Sequence, residues 1–156
     1  MAAPLIDLLS SNEDELWPRK MWPPMRFDRP LSIGADGGHG PIRYYVSAYQ
    51  PGRLVRFNFT APKGFNGSHA YALEKINDHS CRLTHKLEID LDGWTLVTWP
   101  LIFKPLHDAL IEDSLFLAER FSGVKTAQPV PWSPWVQRLR GMIRKWLSLT
   151  TKPRAT

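Results

Sequence analysis

An α+β fold is what this sequence predicts: a curved antiparallel sheet wrapped around one long helix near the C-terminal end, followed by an extra amphipathic tail helix. Three observations lead there. Four runs between Ile42 and Leu91 have strand character, and short turns join them. A long amphipathic stretch from about Pro105 to Phe121 follows the last strand. The clearest of the four runs has one dry face and one wet face, and a dry face needs a covering element. A single helix laid across such a sheet encloses space, so the chain reads as a container before it reads as a catalyst.

Each strand has its own signature. Ile42 to Tyr49 is rich in β-branched and aromatic residues, and Gln50-Pro51-Gly52 supplies the turn that ends it. Arg53 to Thr60 alternates Val55, Phe57 and Phe59 against Leu54, Arg56 and Asn58. After a loop over Ala61 to Gly67, Ser68 to Ile76 sets His69, Tyr71 and Leu73 on one face. Cys81 to Leu91 is the clearest run. Leu83, His85, Leu87 and Ile89 face one way, and Arg82, Thr84, Lys86, Glu88 and Asp90 face the other. Asp92-Gly93 is a turn, and Trp94 to Trp99 is a short apolar run. In the main helix Pro105 suits the first turn and Gly123 the stop. Its predicted apolar face carries Leu106, Ala109, Leu110, Phe116, Leu117 and Phe121.

The first 41 residues are less regular. A short helix fits around Pro4 to Leu16, and the prolines at positions 18, 23, 24 and 30 prevent a long one. Asp36-Gly37-Gly38-His39-Gly40 is glycine-rich but lacks the Lys-Ser/Thr ending and the preceding strand of a phosphate-binding loop, so it reads as a loop or lid.

Composition narrows the function classes. A chain of 156 residues with 43% hydrophobic and 22% charged residues fits one globular domain with a real core. Seven Trp and seven Phe are generous for this size and suit either a core or an apolar pocket. No run approaches the ~18 apolar residues of a membrane span. One cysteine, Cys81, allows no internal disulfide, and the acidic N-terminal stretch is a poor signal peptide, so a cytoplasmic setting is expected. The five His and one Cys show no zinc-ligand spacing, and neither a metal nor a cofactor is expected.

The net charge of +5 is unevenly placed. From Ser133 onward there are six basic residues and no acid, which leaves 14 basic and 15 acidic residues, a net of −1, in the remainder. A near-neutral body argues against nucleic acid as a partner. The tail itself is a basic amphipathic helix. Ser133-Pro134 forms its start, and Trp135, Val136, Leu139, Met142, Ile143, Trp146 and Leu147 share one face. Such a helix suits a membrane surface, a partner's groove or the protein's own sheet. Trp135, Leu139, Ile143 and Trp146 are the contact residues in the first two cases. A peripheral membrane position is therefore open to a cytoplasmic protein of this kind.

The segments GPIRYYVSAYQPGRLVRFNFT, GSHAYALEKI, CRLTHKLEIDL and PLHDALIEDSLFLAERF together resemble the START-like, or SRPBCC, superfamily. That group includes bacterial polyketide cyclases and dehydrases, lipid-transfer domains and birch-pollen-allergen-like proteins. The likeness is to its small bacterial members of unassigned function. Tyr49 to Arg53 and Gly67 to His69 carry the most local part of it, and it spans about residues 40 to 122. The resemblance implies a helix-grip fold with an apolar tunnel between sheet and helix. It sets a domain over 1–125, with linker and tail helix over 126–156. The family's first strand is not visible here, and Leu31 to Ile33 is the candidate edge.

The candidate site residues follow from these faces. His69 and His85 lie on the dry faces of two neighbouring strands, as acid–base groups or as buried histidines hydrogen-bonded to backbone or water. Asp113 falls in the middle of the helix's apolar face, where a carboxylate needs a partner; His69, His85 and Arg120 are candidates. These three, His69, His85 and Asp113, are the catalytic candidates. Tyr44, Phe57, Phe59, Tyr71, Trp94 and Trp99, with Leu117, either line an aromatic pocket together with them or fill the core. Three functions compete. The first is a binding or carrier protein for a hydrophobic or aromatic small molecule, lipid or polyketide-like. The second is a cyclase/dehydrase-type enzyme. The third is a protein that docks on a membrane or partner through its tail.

Overall fold

The computed structural model describes residues 3–124 and 128–150, with side chains over 5–124 and 128–145. Six strands form one antiparallel sheet in chain order: β1 (Arg26–Phe27), β2 (Asp36–His39), β3 (Ile42–Gln50), β4 (Leu54–Ala61), β5 (Phe65–Lys75) and β6 (Cys81–Leu91). The helices are α1 (Ala3–Asp7), α2 (Thr95–Thr98), α3 (Lys104–Phe121) and α4 (Pro134–Thr150), with a π-helical turn, Trp99–Phe103, joining α2 to α3. A curved sheet gripping a long helix is a helix-grip arrangement.

The four strands read from the alternation are present with boundaries close to those expected. β5 and β6 pair over their whole length, from Phe65 opposite Leu91 to Lys75 opposite Cys81. Along β6 burial alternates residue by residue, with Leu83, His85, Leu87 and Ile89 on the inner side. The β3–β4 ladder slips register at Arg43/Tyr44 and again at Val46/Ala48. Such irregularities bend a sheet and increase its twist.

Five local readings are corrected. The glycine-rich run is not a loop: Asp36–His39 is β2, paired with Ile42–Tyr45. Glycine is needed there because a Cβ on Gly37 would lie 2.1 Å from the Arg26 carbonyl oxygen, a contact no side chain tolerates. The sheet edge is Arg26–Phe27, not Leu31–Ile33. The first helix stops at Asp7, and the run from Trp94 to Trp99 is a helical turn that leads into α3. Finally, the buried stripe of α3 is Leu110, Asp113, Ser114 and Ala118, while Phe121 is exposed. The helix is rotated so that its small residues meet the core. Ser114 Oγ donates to the Leu16 carbonyl at 2.9 Å, so its contact with Tyr71, also 2.9 Å, is donated by the tyrosine hydroxyl.

The irregular N-terminal segment is core. Leu5, Ile6, Leu9, Leu16, Trp17, Trp22 and Met25 are buried in one cluster with Tyr44, Val46, Val55, Phe57, Tyr71 and Leu110. Two carboxylates hold it. Asp7 Oδ1 accepts from Tyr49 Oη at 2.9 Å and from the Gly52 amide at 2.7 Å, which pins α1 to the β3–β4 turn. Asp14 accepts from the amides of Ser10, Leu16 and Trp17 at 2.8 to 2.9 Å.

The tail helix packs back on the body. Ser133 Oγ accepts from the Val136 amide at 3.2 Å, the N-cap its sequence predicts. Val136 and Leu139 are buried. The guanidinium of Arg140 lies 4.1 Å from the Trp22 ring centre and 3.9 Å from that of Trp132, and it donates to the Met21 carbonyl. Both indoles donate to one oxygen: Trp22 Nε1 at 2.7 Å and Trp132 Nε1 at 2.9 Å from Asp113 Oδ2. Substituting Asp113→Ala leaves these two indole N–H groups without an acceptor, at about 1–3 kcal/mol for each one that stays buried. The variant is expected to lose about 2–4 kcal/mol in a urea unfolding titration. A loss under about 0.5 kcal/mol, the size of an ordinary surface change, would contradict this role.

Candidate functional site

Between sheet and helix lies an apolar cavity of about 300 Å³. The sheet contributes His39, Ile42, Phe59, Phe65, His69 and His85. The helical side contributes Trp99, Ile102 and Phe103 from the π turn and Leu106, His107, Leu110 and Ile111 from α3. Trp17, Pro23 and Pro41 also line it, as does Ile143 of α4. Among the described residues no Asp, Glu, Lys or Arg lines it. A second cleft, of about 410 Å³, lies by the N-terminal turns, where Asp14 is already committed to three backbone amides.

The lining includes four histidines. His69 and His85, diagonal neighbours on the inner face of β5 and β6, meet through Nδ1 and Nε2 at 3.3 Å. The His85 ring centre is 5.1 Å from that of His107, so three imidazoles run in a row from β5 through β6 to α3. His39 Nδ1 meets Tyr44 Oη at 2.9 Å, and its ring packs on Trp17 with centres 4.7 Å apart. His69 is wrapped in rings: Phe59 stacks on it at 5.1 Å, and Tyr44 meets it edge-on at 4.8 Å. Two ring nitrogens, His69 Nε2 and His107 Nε2, are buried with no partner among the described residues.

Burial keeps this row uncharged. Loss of hydration pushes His39 and His85 down to about 3, with a smaller push from His107. It holds His69 well below its ordinary value, helped by His85, His39 and His107. His107 is lowered by burial too, although Asp108 beside it pulls the other way. Burial raises Asp108, but hydrogen bonds from Lys104 and His107 outweigh it and keep the carboxyl below its usual range.

The candidates read from the sequence therefore separate. Phe59, His69, His85 and Trp99 come together on the cavity wall. Tyr44, Phe57 and Tyr71 are fully buried behind it as core. Trp94 is 84% exposed and outside the cavity. Asp113 lies apart from the histidines, bonded to Trp22 and Trp132 rather than to His69, His85 or Arg120. Leu117 is half-buried on α3 and does not line the cavity. Of the tail residues, Leu139 is buried, Ile143 is on the cavity wall, and Trp135 is half-exposed with Nε1 donating to the Leu101 carbonyl at 2.7 Å. The side chain of Trp146 lies outside the described residues. Sequence reasoning passed over His39, His107, Ile102, Phe103, Ile111 and Ile143 as lining. His107 did carry a signal: Phe103, His107, Leu110 and Ile111 fall at the three- and four-residue spacings of one helical stripe. Among the described residues no group of His, Cys, Asp or Glu is arranged to hold a metal ion, and no helix is long and apolar enough to cross a membrane.

The sheet, the gripped helix and the cavity between them define a helix-grip protein, and solved structures share that fold. A solution NMR structure of a protein from Thermobifida fusca superposes with a TM-score of 0.59 at 17% identity, over 81% of this chain and 89% of its own. The solution NMR structure of CalU16 from Micromonospora echinospora does so with a TM-score of 0.51 at 14% identity, over 95% of this chain and 80% of its own. No family model and no curated protein matches the sequence.

The neutral histidines set a pH dependence. The unfolded chain takes up protons below about pH 6.5, while folded His39 and His85 refuse them until about pH 3. Folding stability is therefore full above pH 6.5 and falls as the pH drops towards 3. The expected loss between pH 6.5 and pH 5 is about 2 kcal/mol for each of these two histidines. Urea unfolding near neutral pH and near pH 5 measures it, and the loss should shrink in His85→Phe. Equal stability at both pH values would show that the imidazoles are not buried in neutral form.

Proposed function

We propose that this protein binds or carries a hydrophobic or aromatic small molecule, lipid or polyketide-like, in the cavity between its sheet and α3. The observation that carries the reading is the wall itself: among the described residues, aromatic and aliphatic side chains, four neutral histidines and no charged group around about 300 Å³. That volume is at the small end of ligand sites, which run from ~300 to 1,000 Å³. The resemblance to START-like proteins and the shared helix-grip fold support the same role.

The cyclase/dehydrase reading has less support. It needs His69, His85 and Asp113 to converge, and Asp113 is bonded elsewhere. A general base works best with a pKa near the operating pH, whereas His85 is held at about 3. Docking through the tail also has less support, because Val136 and Leu139 are already spent on the protein's own core.

A fluorescence titration with N-phenylnaphthylamine tests the proposal. Saturable one-site binding is expected, and Leu106→Trp, which fills the cavity, should weaken it by at least about tenfold, or ~1.4 kcal/mol. Circular dichroism checks that the variant is folded. Binding that does not saturate, or that is unchanged in the folded variant, would mean that the probe sits outside the cavity and would overturn the reading.

A further inference from the structure

We infer that the cavity selects an uncharged ligand carrying a hydroxyl group, whose O–H donates to Nε2 of His107; this rests on the cavity-binding reading above. The proton count at His107 leads to it. Nδ1 of His107 lies 3.2 Å from Asp108 Oδ1. Asp108 also accepts from Lys104 Nζ, and an ionised carboxylate can only accept. The proton of this contact is therefore on His107 Nδ1. A neutral imidazole carries one proton, so Nε2 is left with a bare lone pair. Burial and the flanking Lys104 both disfavour a second proton on this ring, outweighing Asp108.

That lone pair is buried on the cavity wall with no partner among the described residues. An unsatisfied buried acceptor costs free energy that a donor on the ligand restores. A carboxylate or phosphate ligand would bring a second acceptor against it, and among the described residues no Lys or Arg lines the cavity to offset the charge. A plain hydrocarbon would leave the acceptor unmet. His69, 6% exposed and also on the wall, offers a second orphan nitrogen, whose proton state its contact with His85 leaves free. A hydroxyl gives its one proton to His107, and its oxygen can accept from His69 Nε2 where that nitrogen carries the proton.

The test pairs β-naphthol with β-methylnaphthalene, in which a methyl group replaces the hydroxyl, on the wild-type protein and on His107→Phe. One hydrogen bond is worth about a three- to tenfold change in affinity. The ratio of the two affinities should shift by that factor towards β-methylnaphthalene in the variant. The same ratio in both proteins would overturn the inference and leave the cavity reading standing. Failure of the wild type to bind either compound would overturn the cavity reading and this inference with it. Nitrogen NMR of the wild type gives an answer even if the variant does not fold. His107 Nε2 should show the signal of an unprotonated nitrogen that moves when β-naphthol is added and stays when β-methylnaphthalene is added. A protonated Nε2 in the free protein would sink the inference.

Discussion

Asp113 joins three parts of the chain that are distant in sequence. Its Oδ2 accepts the indole N–H of Trp22, from the N-terminal coil, and of Trp132, from the segment before α4. The two indoles meet edge-to-face with centres 5.8 Å apart, and Arg140 lies against both. A carboxylate on the inner face of a helix is costly unless hydrogen-bonded, and here the two donors also set the cation's seat. The charges feel each other: Asp113 raises the affinity of Arg140 for its proton, although burial and Arg144 lower it further. One helical turn beyond Arg140, Ile143 reaches the cavity wall. The clamp thus holds the last piece of the container in place.

Within that container the polar groups are kept neutral. Imidazole is unusual in remaining a hydrogen-bonding group after losing its charge to burial. His39, His69, His85 and His107 can therefore stand among Phe59, Phe65, Trp99 and Leu110 without the hydration that a carboxylate or ammonium would demand. The result is a wall that is apolar in area and polar at a few atoms. A weakly basic, dry histidine row is better suited to recognising a ligand than to moving protons at neutral pH.

Much of this fold is readable from the sequence, and the reasons are physical. β6 alternates strictly because one side faces water along its whole length, and α3 follows with its proline and glycine signals in place. β2 was hidden because its glycines look like a loop, and only the close approach of the β1 backbone shows why they are needed. The core role of Trp17, Trp22 and Met25 was hidden because an irregular segment has no period to reveal which side is inward. At the site, His69 and His85 were visible from strand parity. His107 was less so, since Asp108 next to it and Lys104 three residues before it give that stretch of helix a polar look. Asp113 stood out as an apolar-face carboxylate, but its partners come from position 22 and position 132. No local pattern joins residues that far apart.

The central claim is that a ligand enters the space between sheet and α3. An NOE spectrum of the protein with N-phenylnaphthylamine tests it most directly. The account predicts intermolecular contacts from the aromatic protons of the probe to the methyl groups of Ile102, Leu106, Ile111 and Ile143, which line the cavity from the π turn, α3 and α4. Contacts confined to the exposed methyl groups of Leu96 and Val97 would mean adsorption on the surface and would contradict it.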